Sequence, residues 1–557
     1  MTKQIELDIQ GMTCNSCATH VQHALSGVLG VVKVNVPGWQ SGRATVLLRE
    51  PVDSQALIHA VEQAGYGASM RTENAIPEQK FIKQNQAQPH DDQQYDLMVI
   101  GGGSAGFAAA INAIDFGARV ALVEANTIGG TCVNVGCVPS KTLIRAMEHY
   151  HQAGIHHFKG VETSAGRLNW SLVIDQKEEL VNELRQAKYI DVLKSYPEIT
   201  YIQGRARLVG GNRVEIDGKP YAPGKIVLAT GAHPWVPDIQ GLNDAGYLTS
   251  TTAMELKELP RSMIVLGANA VGLELGQVFA RAGVLVSVLE LLPRIAPFED
   301  EEISTALRSY LEEEGLRIAT GVKIEQVERK DGRYQLNGTQ DGDPISLDAE
   351  QLLVATGRQP NTANLGLEQA GVQLSQRGEV RVDKHMRTDN PDVYAAGDVT
   401  GRDMFVYVAA YSGGLAAENA LNGFEKEYDA SYIPRVTFTD PQIASAGLTE
   451  QQARQQGKEV KVSTLSMKYV PRALAARDTR GLIKLVADAA TDKLLGAHIL
   501  APEAGEMIQN AVLAIRFDIT VEQLRNTMFP YLTNVEGIRL AALAFNKDVS
   551  MLSCCAG

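Results

Sequence analysis

Residues 95–125 read YDLMVIGGGSAGFAAAINAIDFGARVALVEA, and this stretch decides the fold class. A short apolar run leads into Gly101, Gly103 and Gly106, a helix-spaced segment follows, and a second apolar run ends at Glu124. Glycines at this spacing allow a tight turn and let a pyrophosphate approach the start of a helix, while the later acid hydrogen-bonds a ribose. The stretch therefore predicts a strand–turn–helix–strand unit that binds a dinucleotide.

A second unit of this kind occupies residues 261–290, RSMIVLGANAVGLELGQVFARAGVLVSVLE. Gly267 and Gly272 take the outer positions, and Asn269 takes the middle one. Asn is among the few non-glycine residues that tolerate a positive φ, so we expect it to replace the glycine in the turn. Two such units in one chain predict two dinucleotides, a flavin and a nicotinamide, with hydride passing between them.

The sequence leaves the choice of nicotinamide nucleotide open. Glu290 ends the second strand of this unit, and an acid there favours an unphosphorylated ribose. Arg294 lies four residues further on and could pair with a 2′-phosphate. NADPH is expected as the donor, with NADH as the alternative.

Length, net charge and hydropathy limit the number of domains, the kind of partner and the compartment that we expect. A chain of 557 residues is too long for one core, so three to five domains are expected. The net charge of −13 argues against nucleic acid as a partner. No apolar run is long enough for membrane insertion, and MTKQIELDIQ has no secretory pattern, so we expect a reducing cytoplasm.

The six cysteines form three close pairs, Cys14 with Cys17, Cys132 with Cys137, and Cys554 with Cys555. Paired thiols in a reducing compartment are more often metal-binding or redox-active than structural. Neighbouring Cα atoms lie about 3.8 Å apart, whereas disulfides need roughly 4.4–6.8 Å, so the adjacent pair is unsuited to a stable disulfide. It is either an accident at a frayed end or a mobile pair of soft metal ligands.

The segment 129–141, GGTCVNVGCVPSK, resembles the redox-active motif of the pyridine nucleotide–disulfide oxidoreductases. LATG at 228–231, VATGRQPN at 354–361 and VYAAGDV at 393–399 match the same family, so the resemblance covers about 95–557. It implies FAD as a cofactor and a nicotinamide nucleotide as the hydride donor.

The resemblance also implies roles for individual residues. Cys137 would be the thiolate that touches the flavin, and Cys132 would face the substrate. Lys141 would lie by the reactive flavin edge, paired with Glu274, and Asp398 would contact the flavin or its ribitol. Further FAD contacts are implied at Ser104, Ala105, Gly130, Thr131, Thr230 and Gly231.

The fold class that follows is α/β, with two Rossmann-like nucleotide-binding domains and a C-terminal α+β dimerisation domain. A small domain precedes them, whose apolar spacing predicts strand, helix, strands and helix. The expected boundaries are 1–70 for the small domain, 71–94 for a polar, Gln-rich flexible linker, 95–245 with 362–430 for the FAD-binding domain, 246–361 for the NAD(P)H-binding domain and 431–557 for the dimerisation domain with its cysteine tail.

The chain departs from the disulfide-reducing members of the family near its C-terminus. Those enzymes place a His and a Glu from the partner subunit at the active site. TMFPYLTNVEG at 527–537 keeps Glu536 but has Tyr531 at the His position. A phenol with a pKa of about 10 is a poor proton shuttle at neutral pH. A reaction that needs two electrons and no proton has no need of the histidine.

This departure, the adjacent tail cysteines and Tyr189 in AKY resemble the mercuric reductases, a branch of the family. Mercuric ion is soft and is expected to prefer thiolates. The resemblance implies a homodimer in which Cys554 and Cys555 take Hg(II) from small thiols and pass it to the inner cysteine pair of the other subunit. Tyr189 and Tyr531 would assist at that site.

GMTCNSCATHV at 11–21 resembles the motif of heavy-metal-associated domains, which implies a βαββαβ ferredoxin-like fold for the small domain. Cys14 and Cys17 would then bind a soft ion, Hg(II) here, although such a domain could equally serve Cu(I). The leading hypothesis is an FAD-dependent mercury(II) reductase. The alternatives are a disulfide reductase related to dihydrolipoyl dehydrogenase and a non-catalytic metal-trafficking protein.

Overall fold

The protein is represented by a computed structural model that describes residues 3–12, 15–28, 30–36, 41–48, 54–75, 95–423 and 426–551. The chain divides into two compact units, Met1–His90 and Asp91–Gly557. Among the helices in these ranges, none combines the length and the apolar character that crossing a bilayer demands.

The first unit is a four-stranded antiparallel sheet, in the order β2-β3-β1-β4, with two helices. Alternating apolar residues of the strands, such as Ile5, Leu7 and Ile9, are buried against the helices. The expected βαββαβ fold is confirmed. Its elements are β1 (Lys3–Gln10), α1 (Asn15–Ser26), β2 (Val31–Asn35), β3 (Arg43–Leu48), α2 (Ser54–Gln63) and β4 (Gly67–Ala75).

The small domain extends further than the sequence predicted. Strand β4 runs to Ala75, five residues beyond the expected boundary, because it pairs with β1 as far as the Lys3–Ala75 register position. The backbone hydrogen bonds offered by β1 therefore order a stretch whose polar composition indicated a linker. The rest of the expected linker lies outside the described residues.

The second unit begins with the first nucleotide-binding fold. Strands and helices alternate over residues 97–135, and three further helices follow, with a π-helical turn, Gln186–Ile190, between the last two. Six strands then run in succession over residues 199–234. The elements are β5 (Leu97–Ile100), α3 (Ser104–Asp115), β6 (Val120–Glu124), α4 (Gly130–Val135), α5 (Cys137–Ala153), α6 (Trp170–Arg185), α7 (Asp191–Lys194), β7 (Ile199–Gln203), β8 (Ala206–Gly210), β9 (Arg213–Ile216), β10 (Lys219–Tyr221), β11 (Lys225–Leu228), β12 (Ala232–Pro234) and α8 (Leu242–Ala245).

The second nucleotide-binding fold follows, with a parallel sheet in the order β15-β14-β13-β19 and a three-stranded antiparallel sheet, β16-β17-β18. Its elements are α9 (Ser250–Ala253), β13 (Ser262–Leu266), α10 (Ala270–Arg281), β14 (Leu285–Leu289), α11 (Glu301–Glu313), β15 (Arg317–Ala319), β16 (Val322–Lys330), β17 (Arg333–Gln340), β18 (Asp343–Ala349), β19 (Gln351–Val354) and β20 (Arg358–Pro360).

The chain then returns to the first fold before it forms the last domain. Strand β21 pairs in parallel with β11 and completes the sheet β21-β11-β5-β6-β7. The last domain is a five-stranded antiparallel sheet, β22-β23-β26-β25-β24, with helices. The elements are β21 (Val393–Ala395), α12 (Val406–Asn422), β22 (Arg435–Thr437), β23 (Gln442–Gly447), α13 (Glu450–Gln455), β24 (Val460–Ser466), α14 (Pro471–Ala476), β25 (Leu482–Asp488), β26 (Leu494–Ala501), α15 (Ala504–Arg516), α16 (Val521–Asn526) and α17 (Glu536–Leu543).

Both glycine turns have the close approaches that their spacing predicts. A Cβ on Gly106 would lie 1.8 Å from the carbonyl oxygen of Gly101, and a Cβ on Gly272 would lie 1.9 Å from that of Gly267. The reason expected for Asn269 is wrong, because its φ is −102° and its backbone is extended. The middle position therefore does not require a positive φ, and an asparagine occupies it without strain.

A buried ion-pair network joins the second nucleotide-binding fold to the last domain. Arg281 on α10 lies 2.7 Å from the carboxylate of Glu314 and 2.8 Å from that of Asp440. Arg480 pairs with Asp440 at 2.8 Å and with Glu314 at 3.3 Å. The Arg281 side chain is only 4% exposed, and Arg281 and Arg480 together balance the charges of two carboxylates that are themselves largely desolvated.

We expect Arg281→Ala to destabilise the protein by roughly 3–5 kcal/mol, since it leaves Glu314 and Asp440 buried with one cation fewer. Urea unfolding followed by circular dichroism measures the change. Lys194→Ala is the control, because Lys194 pairs with Asp191 on the surface, and its unfolding midpoint should not move. Equal losses in the two variants would contradict this role for the network.

Candidate active site

The cysteine motif begins with a glycine turn that packs directly on the first dinucleotide turn. Gly129 and Gly130 have φ values of +104° and +65°. A Cβ on Gly130 would lie 2.6 Å from the Cα of Gly103, so only a glycine lets the two backbones meet. This contact fixes α4 and α5 beside the turn that binds the first dinucleotide.

Cys132 lies on α4, and Cys137 is the first residue of α5; both are half-buried thiols. A hydrogen bond from Cys132 lowers the pKa of Cys137 to about 7, and the positive charge of Lys141 acts in the same direction. The same hydrogen bond, with burial, raises the pKa of Cys132. Cys137 is therefore the thiolate of the pair, as expected for a cysteine at a helix start beside a lysine.

Lys141 lies one turn after Cys137 and connects three parts of the second unit. Its Nζ is 2.6 Å from Oε2 of Glu274, the partner that the sequence analysis expected. The other carboxylate oxygen of Glu274 accepts a hydrogen bond from the backbone N–H of Phe438 at 2.9 Å. The Lys141 ammonium also lies 4.5 Å from the centroid of the Phe438 ring. These contacts place one positive charge beside the cysteine pair.

Several of the residues expected to hold FAD lie around the first glycine turn. Glu124 accepts hydrogen bonds from the backbone N–H groups of Gly102 at 2.7 Å and of Asn126 at 2.6 Å. Gly397, with φ +73°, lets the segment before Asp398 approach helix α3, because a Cβ there would lie 3.0 Å from that of Ala105. A Cβ on Gly101 would lie 2.2 Å from the carbonyl oxygen of Ala229. The glycines therefore keep the tight turn that a pyrophosphate needs, and the residues present fit a dinucleotide.

Two of the implied FAD contacts, Thr230 and Gly231, lie before the chain enters the second fold and bond to Asn361, where the chain leaves it. The hydroxyl of Thr230 donates to the carbonyl of Asn361 at 2.8 Å, and the Asn361 side chain donates back to the carbonyl of Thr230 at 2.8 Å. The backbone N–H of Asn361 donates to the carbonyl of Gly231 at 2.9 Å. These hydrogen bonds hold the LATG segment against the VATGRQPN segment.

Two residues at the site were not singled out from the sequence, Arg358 and Phe438. The Arg358 guanidinium lies 3.8 Å from the carboxylate of Asp398 and 3.4 Å from the hydroxyl of Thr131. Burial raises the pKa of Asp398, and the charge of Arg358 opposes that rise. Arg358 lies inside the quoted VATGRQPN segment, which was the signal that could have found it.

Tyr189 lies on the π-helical turn between α6 and α7. Its ring packs edge-on against Phe107, with 4.8 Å between the ring centroids. Burial raises the pKa of the Tyr189 phenol, and the neighbouring Cys132 and Cys137 sulfurs act in the same direction. The hydrogen bond between its hydroxyl and Ser104 opposes that rise. The structure therefore brings Tyr189 to the inner cysteine pair. Such turns are often found at functional sites.

The remaining expected residues lie elsewhere. Tyr531 is 54% exposed in the loop between α16 and α17, where Met528 and Leu532 are exposed as well. Glu536 begins α17 and is buried. Cys17 lies on α1 and contacts the core of the first unit. Cys14, Cys554 and Cys555 lie outside the described residues.

Comparison with known proteins agrees with this architecture. Residues 95–413 match the pyridine nucleotide-disulphide oxidoreductase family, residues 433–542 match its dimerisation domain, and residues 6–67 match the heavy-metal-associated domain. A mercuric reductase of Lysinibacillus sphaericus is 42% identical over 554 residues and covers 100% of both chains. One of Streptomyces lividans is 47% identical over 472 residues, which is 83% of this chain and 98% of that protein.

Among solved structures, the HOCl-induced flavoprotein disulfide reductase RclA of Escherichia coli is similar, with a TM-score of 0.73 and 31% identity. The match covers 81% of this chain and 99% of that one. Its extent agrees with the second unit, which holds the cysteine pair and both glycine turns.

The rate at which iodoacetamide alkylates Cys137 should rise with pH about a midpoint near 7, because the thiolate forms above that pKa. Lys141→Met should move the midpoint upward, since it removes a neighbouring positive charge. Lys219→Met, an exposed lysine on β10, is the control and should leave the midpoint unchanged. Mass spectrometry of the modified peptide gives the rate. A midpoint near 8.5, the value of an ordinary cysteine, would contradict the assignment.

Proposed function

The chain belongs to the mercuric reductases of the pyridine nucleotide-disulphide oxidoreductase family, and on that premise we propose roles for its three cysteine pairs. The protein reduces Hg(II) with NAD(P)H and FAD, and its dimerisation domain indicates a homodimer. FAD, when bound, carries two electrons from the nicotinamide to the cysteine site. The observation that carries the proposal is the Cys137 thiol at the start of α5, with its lowered pKa.

Cys132 and Cys137 are the two ligands that hold Hg(II) while it is reduced. Thiolate sulfur suits this soft ion, and Cys137 supplies a thiolate at neutral pH. Cys132 enters as a thiol and passes its proton to the departing thiolate of the incoming complex. Hg(II) then accepts two electrons and leaves as Hg(0), and the reduction step itself moves no proton to the metal.

Lys141 and Glu274 are positioning residues for this step. The buried Glu274 carboxylate fixes the Lys141 ammonium, which stabilises the Cys137 thiolate. Tyr189 lies beside the same thiols with its phenol protonated, because its pKa is raised. Its hydroxyl, bonded to Ser104, is a neutral group that helps to orient the ion. Asp398, with Arg358 beside it, would contact the flavin or its ribitol when FAD is bound.

We expect Cys132→Ala and Cys137→Ala to abolish Hg(II)-dependent NAD(P)H oxidation, with a loss of at least a hundredfold, while FAD stays bound. Cys17→Ala is the matched control, because it removes a cysteine of the N-terminal unit and should keep nearly full turnover in excess thiol. Tyr531→Phe should lose less than either inner cysteine variant. Parallel assays replace Hg(II) with oxidised lipoamide and with glutathione disulfide as the substrate. Mercury reduction at the parent rate in either inner variant would end the assignment.

The outer pairs are proposed to deliver the metal. Cys554 and Cys555 take Hg(II) from external thiols and pass it to Cys132 and Cys137 of the other subunit, with Tyr531 beside the path. Each step exchanges one thiolate ligand for another, so the ion never enters water free. Cys14 and Cys17 bind Hg(II) in the cytoplasm and raise its effective concentration near the tail.

The double variant Cys554→Ala/Cys555→Ala should reduce its flavin with NAD(P)H at the parent rate, because the tail carries metal and not electrons. Its turnover should collapse with Hg(II) held by bulky dithiols and recover in part with mercuric halides, which are small enough to enter directly. Ser553→Ala is the matched control and should behave as the parent.

Mixed dimers test whether the tail crosses the subunit interface. One subunit lacks the tail cysteines and the other lacks the inner pair, and the purified heterodimer is assayed with thiol-bound Hg(II). A tail that serves the other subunit gives one working composite site and about half the parent activity. An inactive heterodimer would assign the tail to its own subunit, and undiminished activity of the double tail variant on bulky complexes would refute the relay.

A further inference from the structure

The two nucleotide-binding folds hold an acidic side chain in the same way. In the first, Oε2 of Glu124 accepts the backbone N–H of Gly102 at 2.7 Å, 22 residues earlier in the chain. In the second, Oε2 of Glu290 accepts the backbone N–H of Ala268 at 2.7 Å, again 22 residues earlier. The second carboxylate oxygen of each accepts the N–H two residues further on, at 2.6 Å from Asn126 and at 2.9 Å from Leu292.

From this repeat we infer that the nicotinamide site is built for NADH rather than NADPH, with Glu290 as the residue that determines the preference. The inference rests on the proposed function only in requiring a nicotinamide nucleotide as the hydride donor. It favours NADH, which the sequence analysis kept as the alternative to NADPH. Glu124 provides the internal comparison, because the dinucleotide assigned to its fold has an unphosphorylated ribose.

The geometry of Glu290 favours a hydroxyl donor. Each carboxylate oxygen uses one of its lone pairs on the backbone and keeps another for a ribose hydroxyl. The side chain is 8% exposed, so a 2′-phosphate beside it would meet a negative charge in a poorly solvated place. The two backbone hydrogen bonds also prevent the carboxylate from turning away without breaking them.

The Arg294 guanidinium, the first positive charge after Glu290, is already hydrogen-bonded within its own loop. Both terminal nitrogens of Arg294 donate to backbone carbonyls, of Glu299 at 3.0 Å and of Pro297 at 3.0 Å. The positions between Glu290 and Arg294 are Leu291, Leu292 and Pro293, which offer no charge. Arg294 therefore stabilises its own loop and is not presented as a phosphate ligand.

Arg308, a second arginine near this sheet, also uses its nitrogens in hydrogen bonds within the fold. Arg308 on α11 reaches the hydroxyl of Thr320 at 3.4 Å, just after β15, the strand beside β14. It also donates to the carbonyl of Ile318 at 3.1 Å and to Glu312 at 2.9 Å. Recruiting either arginine to a 2′-phosphate would break hydrogen bonds that the fold already makes.

Calorimetric binding of NAD⁺ and NADP⁺ to the FAD-loaded dimer tests the inference without any mercury. The parent should bind NAD⁺ at least tenfold more tightly. Glu290→Gln and Glu290→Ala should reduce that ratio at least tenfold, chiefly by improving NADP⁺ binding. Glu290→Gln keeps one backbone acceptor and guards against loss of the fold, which flavin content reports. Arg294→Gln is the matched control and should change the ratio by less than threefold.

The rates at which NADH and NADPH reduce the flavin under anaerobic conditions give a second readout, and NADH should be the faster donor. Equal or tighter NADP⁺ binding by the parent would overturn the inference, as would an unchanged ratio in both Glu290 variants. A selective loss of NADP⁺ binding in Arg294→Gln would also overturn it. A parent that prefers NAD⁺ but fails to reduce Hg(II) would refute the proposed function and leave this inference standing.

Discussion

One contact between two backbones sets the position of everything else at the site, the approach of Gly130 to Gly103. It joins the turn of the cysteine motif to the turn that binds the first dinucleotide, with no side chain between them. The start of α5 is therefore fixed relative to the cofactor cradle, and Cys137 is fixed with it. A thiolate exchanges an electron pair with a flavin most readily when the two are in contact, so the placement of Cys137 comes before any chemistry of the thiols.

Charge then determines how the fixed thiols behave. Lys141 stabilises the Cys137 thiolate and is itself oriented by Glu274, which lies on the second nucleotide-binding fold and bonds the backbone of the last domain. Further along α10, Arg281 pairs with Glu314 and with Asp440 and so joins the same two domains. The electrostatics of the inner pair therefore depend on the mutual placement of three domains, and not on the cysteine motif alone.

Local features of the site were predictable from the sequence, and contacts between distant segments were not. The glycine spacing predicted both turns, because the constraint lies within a few residues. The pairing of Lys141 with Glu274 came from a family resemblance, since the two residues are 133 positions apart. Arg358 was missed because its place depends on β20 pairing with β12. The reason given for Asn269 failed because residue preference does not reveal which turn position has a positive φ.

The π-helical turn that carries Tyr189 has a consequence for how this site can change. A π turn contains one residue more than the α-helical turn it replaces, and each residue of an α-helix advances the chain by about 100°. Deleting a single residue from Gln186–Ile190 would rewind the segment and rotate the phenol off the face that meets Ser104. The orientation of the tyrosine thus depends on chain length, so an insertion or deletion in this turn can remove it from the site without changing the tyrosine itself.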